Sequence, residues 1–166
     1  MTRLQSFFRV FMFAVLCFAS ALPASAQNSD AFLTSWIKTV NANFPPKLDP
    51  AAVANLYTEN AAQYHMNQGP VLTQVGREQL RQFFTGFKRW SDWTLVEKSR
   101  LVQSNRAVWE GTAQGHDKET GKMVKVPIVF FLEFDDQGKV RENRVYVDIH
   151  LVGEQTGKEL PPKILR

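Results

Sequence analysis

Residues 124–150 read VKVPIVFFLEF, DDQG, KVRENRVYVDIH, and the alternation on either side of the DDQG break decides the architecture. Val124, Val126, Ile128, Phe130, Leu132 and Phe134 place apolar side chains at every second position. That is the period of a β-strand with one face turned to a core or a cavity. The intervening positions are mixed, with Lys125, Pro127 and Glu133 beside Val129 and Phe131. Asp136-Gln137-Gly138 suits a three-residue hairpin with Gly138 in the left-handed conformation, which pairs Phe134 with Val140. Beyond the turn, alternation separates Arg141, Asn143, Val145, Val147 and Ile149 from Val140, Glu142, Arg144, Tyr146, Asp148 and His150. In this register the polar set faces inward, with Asp148 near Val126 and Tyr146 near Ile128. A slip of one residue exchanges the faces.

Working outward, segments 92–103, 105–116, 123–135 and 139–151 share this Val, Ile, Thr, Phe and Trp enrichment and are separated by turn residues. They predict a four-stranded antiparallel meander. Upstream the period changes. Phe32, Trp36, Val40 and Phe44 recur every fourth residue and predict a helix from Ser29 to about Asn43, ended by Pro45-Pro46. Asp49 followed by Pro50 is a helix start, with Val53, Leu56 and Tyr57 as its apolar face. Leu80, Phe83, Phe84 and Phe87 give a third helix beginning near Gly76. The expectation is an α+β chain, three N-terminal helices packed on one face of a curved antiparallel sheet.

The chain has 166 residues, 44% of them hydrophobic and 22% charged, which excludes a disordered polymer. Residues 1–26 read as a signal peptide. Arg3 and Arg9 precede an apolar run from Val10 to Leu22, too short to span a bilayer, and Ala24-Ser25-Ala26 supplies a cleavage site. Export to a periplasm or the exterior follows as the expectation, with residues 27–166 as a single domain. Cleavage takes away Arg3, Arg9 and the only cysteine, Cys17, so the net charge falls from +4 to +2, with 18 basic against 16 acidic residues. No electrostatic basis for nucleic-acid or membrane binding remains. His65, His116 and His150 lack metal-ligand spacing, so neither a metal nor a cofactor is expected.

Gly76-Arg77-Glu78-Gln79-Leu80-Arg81-Gln82-Phe83-Phe84-Thr85-Gly86-Phe87 resembles the GREAIRAFFEGF helix of SnoaL-like polyketide cyclases. Leu56-Tyr57-Thr58-Glu59-Asn60-Ala61, running on to His65, is similar to their LYAEDAVFH segment. Gly138-Lys139-Val140 with Arg144-Val145-Tyr146-Val147-Asp148 resembles their last strand. The matches keep the family's order across most of residues 50–155. The resemblance implies the cone of the nuclear transport factor 2-like superfamily, a strongly bent sheet and three helices around an apolar pocket. It also implies a choice between cyclases, isomerases, dehydratases or epoxide hydrolases and domains without catalysis. One departure stands out: Gly111-Thr112-Ala113-Gln114-Gly115 replaces the family's pocket histidine by Ala113.

Candidate catalytic residues are Asp148, Tyr146 and His65. Asp148 matches the family's acid/base aspartate, and a carboxyl against apolar walls acquires a raised pKa suited to a carbon acid. Its alternative is a structural role, pairing with Arg144 or capping a loop. Tyr146 shares its strand face and would donate to an oxyanion. His65 matches the family's histidine and is otherwise a packing residue. Tyr57, Trp109, Val126, Ile128, Phe130 and Arg144 are candidate ligand-binding residues. The partner expected is a small apolar molecule, either isomerised or cyclised by acid/base chemistry or only bound, with a homodimer formed through the sheet.

Overall fold

The computed structural model describes residues 24–66 and 71–158. Helix α1 runs Ala24–Asn43, α2 Pro50–Ala54, strand β1 Tyr57–His65, β2 Val71–Val75 and α3 Arg77–Thr85, which continues into a 3₁₀ turn Gly86–Arg89. Strands β3 Trp90–Gln103, β4 Arg106–Asp117, β5 Met123–Phe134 and β6 Val140–Val147 follow, then helix α4 Ile149–Thr156. The signal-peptide reading falls outside the described residues, apart from Ala24–Ala26 in the first turn of α1.

The six strands form one sheet in the order β2-β1-β6-β5-β4-β3. The expected meander is its second half. The other two strands go beyond the sequence pattern: β1 starts at Tyr57, a residue the pattern assigns to the face of α2, and pairs parallel to β6, so the sheet is mixed. The helices pack on its concave face, an open cone. Of the expected stripe, α1 buries Trp36 and Val40 and half-buries Phe32, with Leu33 buried beside them and Phe44 buried just past its end, and α3 buries Leu80 and Phe84. The Asp49 side chain caps α2 by accepting from the Ala52 amide at 3.0 Å, ahead of Pro50.

The curvature has local causes. The β3–β4 ladder shifts register between Trp90 and Asp92 and again between Glu97 and Ser99, and bulges add twist and bend. On β4, Gly111 and Gly115 lie where a neighbouring backbone and ring press against the α-carbon, leaving no room for a side chain.

The β5–β6 hairpin forms as expected at its turn. Gly138 has φ +76°, its amide donates to Asp135 O at 3.0 Å, and Phe134 pairs with Val140. One step further, Glu133 pairs with Glu142, so Arg141 is an extra residue in β6. This bulge reverses the faces. Asn143 and Val145 are buried inward, whereas Arg144, Tyr146 and Asp148 are exposed. Val147, not Tyr146, lies opposite Ile128.

Candidate functional site

Sheet and helices enclose a cavity of about 440 Å³, within the range of small-molecule sites. Its wall is built mostly of rings and aliphatic side chains. Trp36 comes from α1, Phe83 and Phe84 from α3, Phe87 from the 3₁₀ turn, Trp90 and Trp93 from β3, and Val126, Ile128 and Phe130 from the inner face of β5. Trp36 meets Phe130 edge-on at 5.2 Å, and Phe44 stacks on Phe87 at 4.4 Å. Ile149 and Val152 of α4 complete the wall. Among the described residues, no aspartate or glutamate lines the cavity.

Its polar groups are few and ordered. Asn143 Nδ2 donates to Tyr57 Oη at 3.2 Å and to Gln63 Oε1 at 3.1 Å, all three side chains being buried. Gln63 Nε2 in turn donates to Gln74 Oε1 at 3.0 Å, which also accepts from Thr73 Oγ1 at 2.7 Å. This chain fixes the amide orientations and leaves Asn143 Oδ1 unused. Among the described residues, two buried side-chain polar atoms have no hydrogen-bond partner, Asn143 Oδ1 and Trp36 Nε1, and both belong to cavity-lining residues. Burial pushes the Tyr57 phenol above its ordinary pKa, against the pull of the Asn143 amide and the Trp36 indole beside it. It is a neutral hydroxyl at any physiological pH.

His65 also lines the cavity, its ring edge-on to Phe83 at 5.4 Å. Burial lowers its pKa, because the imidazolium loses hydration there. Arg89 lines the cavity but is half exposed, so the cavity reaches solvent beside it. Its guanidinium lies over the Trp90 ring at 4.9 Å and pairs with the buried Asp117 carboxylate at 2.7 Å, which Lys158 also approaches at 3.2 Å.

Of the residues singled out in the sequence, the structure gathers His65, Tyr57, Val126, Ile128 and Phe130 on the cavity wall, together with the divergent Ala113. The others lie elsewhere. Asp148 is exposed and caps α4, accepting from the His150 amide at 2.9 Å. Tyr146 is 39% exposed on the convex face, its ring against Phe131 at 5.4 Å. Arg144, on the same face, pairs with Glu142 at 2.6 Å rather than with Asp148. Trp109 is wholly buried behind Phe130 and donates its indole N–H to Glu97 Oε2 at 2.8 Å. The bulge at Arg141 is the physical reason for the first three placements. Trp36, Gln63 and Asn143 carry the polar end of the cavity, and the sequence pattern singles out none of them for it. Only Asn143 leaves a signal, as a lone amide in the apolar set of β6.

Residues 33–143, well over half of the chain, match the SnoaL-like domain family. No curated protein matches the sequence. The fold recurs in a protein from Jannaschia sp. CCS1 assigned as a SnoaL-like polyketide cyclase, 18% identical, with a TM-score of 0.69 over 87% of this chain and 100% of that one. It recurs in a phenazine biosynthesis-related protein of Pseudomonas aeruginosa, 13% identical, TM-score 0.67, covering 90% and 95%. A ketosteroid isomerase-like protein from Catenulispora acidiphila, solved with trimethylamine, is 17% identical with a TM-score of 0.66, covering 79% and 97%. With the family's motifs in order along the chain and its cone formed by the sheet and helices, this protein belongs to the SnoaL-like domain family, which has the nuclear transport factor 2-like fold.

Proposed function

We propose that this domain binds a small, largely apolar molecule inside the cone. The observation that carries the reading is the 440 Å³ cavity itself, walled by rings and aliphatic side chains and, among the described residues, lacking any carboxylate. Without a carboxylate the site is better suited to holding a ligand than to the aspartate-based acid/base chemistry that the family resemblance implies. Titration with N-phenyl-1-naphthylamine, an uncharged fluorescent probe, tests this. Saturable one-to-one binding is expected in the wild type, with weakened binding in Ala113→Phe, whose ring intrudes on the cavity. Equal binding by that variant would locate the probe elsewhere and remove the support.

A catalytic reading rests on His65, a wall imidazole that burial holds in its neutral, proton-accepting form near pH 7 while weakening it as a base. It predicts deuterium exchange at the α-carbons of 2-tetralone in D₂O that is lost in His65→Ala; no exchange by the wild type leaves binding alone.

The convex face of the sheet is proposed to join two copies of the chain. It exposes Val96, Leu101, Phe131 and Tyr146. Its charges are matched in place as Lys98–Glu110, Arg106–Glu133 and Arg144–Glu142. Apart from Lys125, these charges are neutralised in pairs, so the face meets its own copy with little repulsion, as a two-fold contact requires. Export through residues 1–26 to a periplasm or the exterior belongs to the same proposal.

A further inference from the structure

We propose that the buried end of the cone is a subsite for a hydroxyl group, so that the ligand is an alcohol, phenol or enol on an apolar skeleton. This rests on the ligand-binding reading above and adds the chemistry of the polar head. Asn143 and Trp36 are 1% and 4% exposed, line the cavity, and hold the two buried polar atoms without partners among the described residues. Burying such atoms unpaired is costly, so the arrangement favours a ligand that pairs them. Both side chains adjoin the Tyr57 hydroxyl: Asn143 bonds it through Nδ2, and the Trp36 indole lies beside it. The two atoms are therefore neighbours that one ligand group can serve.

Their chemistry is complementary. Asn143 Oδ1 only accepts, and Trp36 Nε1–H only donates. A carbonyl would take the indole proton and leave the amide oxygen unpaired. An ammonium would pair the oxygen, leave the indole unpaired, and bring an uncompensated charge to a wall without carboxylates. A hydroxyl donates to one and accepts from the other at a single atom. In this arrangement Gln63 Oε1 takes an Asn143 Nδ2 proton, which leaves Oδ1 as the free end of the amide.

Three tricyclic molecules that differ at one carbon test the subsite: fluorene, 9-fluorenone and 9-fluorenol, followed by quenching of tryptophan emission. In the wild type 9-fluorenol is expected to bind about tenfold more tightly than fluorene, with 9-fluorenone between them. Trp36→Phe removes the donor and keeps the ring. It is expected to bind fluorene as before and to lose most of the preference for 9-fluorenol, as is Asn143→Leu. Equal affinities for the three molecules in the wild type, or an unchanged preference in Trp36→Phe, would overturn the subsite while leaving the cavity a binding site. Failure of all three to bind the wild type would overturn the ligand-binding reading and the subsite with it.

Discussion

Trp109 folds its indole over the α-carbon of Gly111, two residues further along the same strand. A β-carbon there would collide with Trp109 Cη2 and with the Val96 carbonyl oxygen of the neighbouring strand. The ring could turn away, but the carbonyl belongs to the β3–β4 ladder. Gly111→Ala is therefore expected to lower stability by about 2 kcal/mol or more, as overpacking of a closed site does, read as a lower urea midpoint. Gly86, with φ −61° and no neighbour within 4 Å of the position a methyl group would take, is the control. Gly86→Ala should be neutral or stabilising by roughly half a kcal/mol.

Asp148 ends β6 as a helix cap outside the cavity. Asparagine caps as well as aspartate, so Asp148→Asn should leave stability within about 0.5 kcal/mol, whereas Asp148→Ala should cost about 1 kcal/mol. Neither should alter N-phenyl-1-naphthylamine binding. A loss of binding in Asp148→Asn would return this carboxyl to the site.

Asp117 is 1% exposed and receives Arg89, Lys158 and the Thr120 amide. Arg89 above all holds its carboxyl well below the usual range, outweighing the upward push of burial. A carboxyl depressed in the folded state contributes stability above its unfolded pKa, about 3.9, and that contribution is lost as pH falls through the folded value. Asp117→Asn should be less stable at pH 7 by about 2 kcal/mol and show a flatter decline below about pH 4. Thermal unfolding across that range reads both.

His65 is shifted in the same direction for a different reason, burial rather than a cationic partner. Its folded pKa lies below 6.5 because burial disfavours the cation. The unfolded chain therefore binds the proton first, and stability declines as pH falls through 6.5 toward the folded value. The ring-proton NMR signal of His65 should titrate with a midpoint below 6.5, and Phe83→Ala, which removes the ring edge-on to it, should raise that midpoint. A midpoint at or above 6.5 would contradict the burial.

Phe131 is 42% exposed in the middle of the convex face, so an acidic residue there does not disturb the core. If two copies join through this face, Phe131→Asp should shift a dimeric elution and light-scattering mass to the monomer with an unchanged far-UV spectrum. A wild type that is monomeric at tens of micromolar would end the proposal.

Much of the fold is legible because its signals are local. The β5 alternation, the Gly138 turn and the α1 and α3 stripes each depend on neighbours within a few residues, and each stands in the structure. β1 is hidden because Tyr57-Thr58-Glu59-Asn60 alternates poorly and continues a helical face. Its strand identity comes from pairing with β6, about eighty positions away in sequence. The cavity is half legible. Val126, Ile128 and Phe130 follow from parity alone, and His65 and Tyr57 follow from the family resemblance. The Asp148 face does not, since alternation determines which residues share a side but a bulge determines which side that is.

That extra residue makes the chemistry of the interior depend on a count. Drawing Arg141 into the ladder opposite Glu133, instead of bulging it out, would restore unbroken alternation from Val140 onward without altering one side chain. An arginine, a tyrosine and an aspartate would then exchange places with an amide and two valines. A slip of one residue in the pairing of β6 would thus turn an almost uncharged binding chamber into an ionic one, by frame of pairing rather than by substitution.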